Sequence, residues 1–341
     1  MKCLVTGGAG FIGRWVVQRL LSEGHDVLAL DDLSNGREEN VREFFEHPHF
    51  LGLARGDLKD RRVLDAVFSK WAWDSVFHLG ASIHVQKSID DPETTFANDV
   101  EGSFRVLEAA RAQYFALNNL DTRAKQFDYE KDVSRLADRR PRVAVMSTCM
   151  VYDASHGEPI EETHPQIPTS PYAAAKIAAD HLAIAYARAY RMPVTVVRPF
   201  NTYGPFQKSN AEGGVVSIFL KRDIAGEPLF VKGSGNQTRD LLYVEDCADF
   251  VVRAAFETQA EAEIINAGTG RDIAVKDLAE FCRTRENRIE FVAHDHPQAE
   301  IMRLCSDSTK AKRLIGWEAR TPIEEGLRRT RLWLMENQWA W

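Results

Sequence analysis

The sequence has 341 residues, a formal net charge of −7 and a pI near 5.9. That acidic balance argues against a nucleic-acid binder, which presents a basic surface, and leaves room for a small anionic ligand at a local positive site. With 44% hydrophobic and 27% charged residues the composition is globular, and the length suits one large domain or two smaller ones. Cys3, Cys149, Cys247, Cys282 and Cys305 are scattered, without CxxC or Cys/His spacing. Neither a disulfide framework nor a metal site is therefore expected, and reduced thiols in the cytoplasm are the plain reading. Met1 runs almost directly into the strand-like Cys3-Leu4-Val5, so no signal peptide is expected, and no apolar run approaches the roughly 18 residues of a membrane span.

In chain order, Lys2 to Val5 reads as a strand, Phe11 to Ser22 as an amphipathic helix and Val27 to Leu30 as a second strand. Asp74 to Leu79 and Arg142 to Met146 are further short apolar runs, with a helix over Thr95 to Ala112 between them. Pro171 to Tyr190 is a long helix followed by the strand Pro193 to Val197. Short strands alternating with helices predict a parallel sheet covered on both faces. Beyond residue 200, helices are predicted at Val215–Ala225, Val244–Thr258, Val275–Arg285 and Pro322–Glu336, with Gly- and Asn-rich loops over Gly204–Gly214 and Lys232–Gln237. Two parts are expected, 1–199 for the cofactor and 200–341 mainly for substrate, interleaved rather than joined by a linker. A charged stretch at about 113–141 does not fit the repeat. It is expected to be a solvated helical excursion, the alternative being an insertion that contacts a partner or covers a site.

Thr6-Gly7-Gly8-Ala9-Gly10-Phe11-Ile12-Gly13 stands between the first strand and the first helix. Gly7, Gly10 and Gly13 at GxxGxxG spacing allow a tight turn, close approach of backbone to a pyrophosphate and close helix packing, and the helix N-terminus adds free N–H groups. The second strand ends in Leu30-Asp31-Asp32, 18 residues after Gly13. A carboxylate there accepts hydrogen bonds from both adenosine ribose hydroxyls and repels a 2′-phosphate, which favours NAD over NADP. Gly56-Asp57-Leu58 and His78-Leu79-Gly80-Ala81 end later strands, where a cofactor crevice would lie. For His78 a structural role is the expectation.

Tyr172-Ala-Ala-Ala-Lys176 puts a phenol and an amine one helical turn apart. The ammonium favours the phenolate and lowers its pKa from about 10. Such a tyrosine takes the proton from a sugar hydroxyl while hydride leaves the same carbon. Ser147-Thr148 closes a strand and offers a hydroxyl to share that hydrogen bond.

With these residues in place the chain resembles the extended short-chain dehydrogenase/reductase family, in its nucleotide-sugar epimerase/dehydratase branch. The likeness runs through TGGAGFIG at 6–13, LDDLSNG at 30–36, GDLKD at 56–60, HLGAS at 78–82, SPYAAAK at 170–176, RPFNTYGP at 198–205, QTRDLLYVEDCAD at 237–249 and INAGTG at 265–270. It implies a Rossmann-type doubly wound parallel sheet with a smaller C-terminal substrate-binding lobe, NAD as cofactor and a nucleotide-diphosphate sugar as substrate. It also implies that Phe11, Ile12, Asp32, Asn35, Leu79, Ala81 and Asn98 join Gly7, Gly10, Gly13, Asp31, Asp57 and Leu58 around the cofactor, with Tyr172 and Lys176. Asn201 would bind the diphosphate, Arg239 would pair with a phosphate, and Glu300 and Arg303 fall where the family meets the nucleotide. His296 to Glu300 replaces the usual RPGD-like motif there. A homodimer through a four-helix bundle of helices 95–112 and 171–190 is a further family expectation, with neither nucleic acid nor membrane as a partner.

The family's common step makes a 4-keto sugar, and side chains after the threonine decide the fate of that ketone. Dehydratases of this type carry Asp-Glu there, whereas this chain has Cys149-Met150. Met150 has no proton to exchange. Cys149, with a reference pKa near 8.5, is either a weak acid or base or a small buried residue beside the ring. A 4-epimerase needs no such pair, so 4-epimerisation leads. A dehydratase with an altered acid/base set, other chemistry on the same ketone, and a non-catalytic NAD sensor are the alternatives. Asp153, in place of the glycine that usually succeeds VY, is expected to serve a turn.

Overall fold

A computed structural model describes residues 1–120, 131, 138, 140–153, 159–209, 214–294 and 300–340. Most of the charged stretch 113–141 lies outside the described residues, as do His296 to Ala299. The described chain divides into two compact units. One comprises Met1–Ser147, Pro171–Val197 and Val251–Ile265; the other comprises Thr148–Ser170, Arg198–Phe250 and Asn266–Trp341.

The first unit is built on β1 (Lys2–Thr6), β2 (Asp26–Asp31), β3 (Phe50–Arg55), β4 (Ser75–His78), β5 (Arg142–Met146) and β6 (Val194–Pro199). With β10 (Ile264–Ala267) they form a seven-stranded parallel sheet in the order β10-β6-β5-β4-β1-β2-β3. The fold is the expected doubly wound α/β sheet. The strand order reverses between β1 and β4, the switch point at which sheets of this kind open a crevice at the carboxyl ends of their strands. Strands such as β4 and β6 are buried along their whole length, as a sheet covered on both faces requires. Leu4, Leu28, Val76, Val106, Val143 and Val194 share one core cluster; each such side chain contributes roughly 1.5–3 kcal/mol on burial.

The helices facing the sheet are α1 (Phe11–Ser22), α2 (Arg61–Lys70), α3 (Val85–Asp90), α4 (Pro92–Phe96), α5 (Gly102–Leu117) and α6 (Pro171–Tyr190). The single helix expected over 95–112 is instead α4, a π turn over Ala97–Glu101, and α5, which runs on to Leu117. Residues 113–117 therefore continue a helix rather than start an excursion.

The second unit holds β7 (Asn201–Tyr203), β9 (Thr238–Tyr243), β11 (Asp272–Ala274) and β13 (Arg303–Leu304), with β9 pairing all the others. β8 (Leu229–Lys232) and β12 (Ile289–Val292) form a separate parallel pair. The predicted helices appear at Val215–Ala225, Val244–Phe256, Val275–Cys282 and Ile323–Glu336. Tyr203, Phe219, Leu229, Tyr243 and Leu278 lie in this unit's core. No described helix is long and apolar enough to cross a membrane.

Candidate active site

In the first unit the glycine loop is fixed by backbone packed on backbone. Gly7 has φ +68°, and a Cβ there would lie 2.7 Å from the Gly80 nitrogen. A Cβ on Gly13 would stand 2.0 Å from the Gly7 carbonyl oxygen. Only glycine allows these approaches. Helix α1 begins at Phe11 and Ile12 without a capping side chain, and its first turn holds no acidic residue. Its opening N–H groups and positive dipole end thus remain for an anion. The cradle fits the pyrophosphate of NAD.

Asp31 ends β2 as expected. It is buried; Oδ2 accepts from Ala9 N–H at 3.0 Å and Oδ1 from Leu33 N–H at 2.9 Å. Burial raises its pKa, while the backbone N–H groups work against that shift. Each oxygen keeps a lone pair for a ribose hydroxyl. Asp32 differs: its Oδ1 accepts from the Ser34 N–H and hydroxyl at 2.9 and 2.6 Å, so the adjoining turn engages it. Asn35 and Ala81 are half-buried. The Leu79 N–H bonds the Thr6 carbonyl at 3.1 Å, Asp57 pairs with Lys59 at 2.9 Å, and Leu58 packs where a Cβ on Gly80 would fall.

His78 is structural. Its Nδ1 faces the Thr6 hydroxyl at 2.8 Å and its Nε2 the Ser103 hydroxyl at 2.9 Å, and burial pushes it down to about 3.

Tyr172 and Lys176 are buried on α6 one turn apart. The Tyr172 N–H donates to Ser88 Oγ at 3.1 Å, which ties the first turn of α6 to α3. Lys176 Nζ donates to the Met146 carbonyl at 2.7 Å, at the end of β5. Two ammonium hydrogens remain for a ligand. One turn farther along, buried Asp180 accepts from the Ser147 hydroxyl at 2.7 Å.

Asn98, the residue expected to support the cofactor, lies on the π turn. It is half-buried, and its Oδ1 accepts from Lys59 Nζ. The buried side chain is its neighbour Asp99, whose Oδ1 accepts from Ser82 N–H at 2.6 Å and which lies in the field of Lys176.

In the second unit Thr148 caps a short 3-10 turn, Cys149–Val151, its hydroxyl accepting from Met150 N–H at 3.2 Å. Cys149 is 3% exposed and burial pushes its thiol up to about 12. Arg239 lowers and Asp240 raises that thiol's pKa, each less than burial does. Asp153 donates its N–H to the Pro165 carbonyl at 2.8 Å.

Asn201 is half-buried on β7, and its Oδ1 has no hydrogen-bond partner among the described residues. Arg239 holds Glu300 through Nη2 and gives Nη1 to the Thr238 and Ile301 carbonyls, both at 2.8 Å. Glu300 also pairs with His294. Arg303 is apart from this pair, bound to Asp272 at 3.0 Å. Of the four expected nucleotide contacts, two therefore meet directly and Arg303 turns to a different carboxylate.

The sequence family described as GDP-mannose 4,6 dehydratase matches residues 4–330. The chain belongs to this family of NAD-dependent nucleotide-sugar epimerases and dehydratases. It is 32% identical over 331 residues to the UDP-glucose 4-epimerase of Mycolicibacterium smegmatis, covering 97% of each chain. Among solved structures, Pal from Bacillus thuringiensis is 44% identical with a TM-score of 0.89, covering 98% of this chain and 99% of that one. A dTDP-glucose 4,6-dehydratase of Streptomyces venezuelae, solved with NAD and TDP bound, is 26% identical, covers 100% and 99%, and has a TM-score of 0.84.

The protein is therefore an NAD-dependent enzyme of nucleotide-sugar chemistry. Sequence reasoning did not anticipate the buried Asp99 or the Ser147–Asp180 bond. A signal for Asp99 exists: Thr95, Asp99, Gly102 and Val106 recur at buried helical spacing, with a carboxylate where an apolar residue belongs. Asp180 continues the 172, 176 stripe by one turn in the same way.

Proposed function

We propose that the enzyme interconverts a nucleotide-diphosphate sugar and its C4 epimer through a 4-keto sugar. NAD, held by the residues named below, would supply the acceptor and donor for the C4 hydride. Tyr172 takes the C4 hydroxyl proton as the ketone forms and gives it back on return, with Lys176 favouring the phenolate. Thr148 is the hydroxyl proposed to share that hydrogen bond. Asp31 and the uncapped start of α1 hold the cofactor; Arg239 and Asn201, with its open buried oxygen, are proposed to hold the diphosphate.

The observation that carries epimerisation over dehydration is the turn after Thr148. Elimination of water across C5 and C6 needs a proton acceptor and a donor beside the ring. The turn offers a thioether and a thiol pushed up to about 12. Ketone return needs neither.

Incubation with a panel of nucleotide sugars in deuterated water tests this. Product of unchanged mass with unlabelled C5 is expected; loss of water, or deuterium at C5, would point to dehydration instead. A homodimer through α5 and α6 is also proposed, supported by Phe104, 37% exposed on α5. Light scattering giving the mass of one chain would remove it.

A further inference from the structure

We propose that Asn40 is a positioning residue of the cofactor site: its carboxamide locks the Ala9–Gly10 peptide of the glycine loop and so keeps the start of α1 shaped for a diphosphate. The proposal rests on the reading of that loop as a phosphate cradle. It adds a residue outside the glycine motif on which the cradle depends.

The loop has a weak point at this peptide. Gly10 precedes α1 with φ −75° and ψ 177°, and glycine reaches positive φ without steric cost. The peptide plane between Ala9 and Gly10 therefore turns over unless something holds it. A carbonyl oxygen turned toward the opening of α1 would oppose an anion there, where N–H groups and the positive dipole end otherwise attract one.

Two donors hold that carbonyl. Asn40 Nδ2 reaches the Ala9 oxygen at 2.7 Å and the Arg37 N–H reaches it at 3.1 Å, so the side chain makes the shorter bond. The Gly10 N–H of the same peptide donates to the Gly7 carbonyl at 3.0 Å. Ala9 is fully buried, and its own N–H goes to Asp31 Oδ2 at 3.0 Å. The peptides on either side of Ala9 thus serve different ends, one the ribose carboxylate and the other the phosphate loop.

Asn40 is itself fixed. It closes the 3-10 turn Glu38–Asn40, is buried, and donates its N–H to the Arg37 carbonyl at 3.1 Å. Its carbonyl accepts from Arg14 Nε at 3.1 Å. Arg14, buried on α1, pairs with Glu43, donates to Gln18 at 2.7 Å and lies over the Trp15 ring at 4.4 Å. Before the turn, a Cβ on Gly36 would lie 2.8 Å from Asp31 Oδ1 and 2.9 Å from the Ala9 carbonyl carbon. The segment from Gly36 to Asn40 is packed on the loop it steadies, as support for a preorganised site requires.

Asp31 keeps its bond from the Leu33 N–H at 2.9 Å whether or not Asn40 donates. Loss of the Asn40 donor should therefore weaken ligands that carry a diphosphate and spare the nucleoside.

The test is calorimetric titration of the full chain, its bound cofactor first dialysed away, with NAD, ADP and adenosine. Native protein is compared with Asn40→Leu, which keeps the bulk and removes the donor. NAD and ADP should each bind about tenfold more weakly, the size of one hydrogen bond, and adenosine within about twofold of native. Should Asn40→Leu not fold, Asn40→Ala serves, because the Arg37 N–H still covers the Ala9 carbonyl; the same split is expected. Unchanged affinity for NAD and ADP in folded variant overturns the proposal, and so does an equal loss for adenosine, which would mark a general loosening. A native chain that binds adenosine as tightly as ADP would strike the reading of the loop as a phosphate cradle, and the proposal with it.

Discussion

The glycine loop of the first unit and the nucleotide residues of the second hold their shape by different means. Around Gly7 and Gly13 the chain packs backbone on backbone, so each position tolerates one residue type. Around Arg239, Glu300 and Arg303 it is held by side-chain ion pairs, with Arg239 on Glu300 and Arg303 on Asp272. The first arrangement is stiff and independent of charge state. The second depends on charge, and a guanidinium offers phosphate the same fork it offers a carboxylate. The glycine loop thus depends on main-chain geometry, and the Arg239 and Arg303 cluster on side-chain charge.

Several substitutions would break or sharpen that contrast. The largest effect is expected for Tyr172→Phe: turnover should fall about 10²–10⁴-fold while bound NAD is retained, read by activity and by cofactor content. Next is Gly13→Ala, where the new Cβ would lie 2.0 Å from the Gly7 oxygen. It should release NAD and cost roughly 1–3 kcal/mol in stability, measured by cofactor stoichiometry and denaturant unfolding. Unchanged NAD content would show that the loop is less rigid than described.

Stability should also depend on His78. Its folded pKa, about 3, lies below the ordinary 6.5, so the unfolded chain binds the extra proton first. The contribution is complete above about pH 6.5 and is lost as pH falls toward 3, by roughly 1.4 kcal/mol per unit. Denaturant midpoints across that range in His78→Gln should lose this slope. The smallest effect is expected for Cys149→Ser, with turnover within about threefold, because a thiol held this deeply protonated exchanges no proton near neutrality. A hundredfold loss would return Cys149 to the catalytic set.

Legibility in the sequence divides along the same line. The strands, the glycine loop, Asp31 and the Tyr172/Lys176 pair are local patterns whose meaning survives without tertiary context. β5 at Arg142–Met146 and α6 at Pro171–Tyr190 match their predicted bounds. The π turn at Ala97–Glu101 was not legible. Nothing in a 3.6-residue period announces an extra residue per turn, so the burial of Asp99 beside the half-buried Asn98 was not anticipated. The Arg239–Glu300 pair joins residues 61 apart, and Arg303 finds Asp272 across 31. Such partners are set by the β9, β11 and β13 sheet, which no local pattern reveals. Cys149 was ambiguous because its role depends on burial, a property of the fold around it.

The central claim is that the ketone formed at C4 is returned without elimination. A nucleotide sugar carrying deuterium at C4 tests it most directly, with the product read by NMR. The account predicts that deuterium stays on C4 with the configuration inverted. Deuterium found on C6, in a product that has lost water, would contradict it.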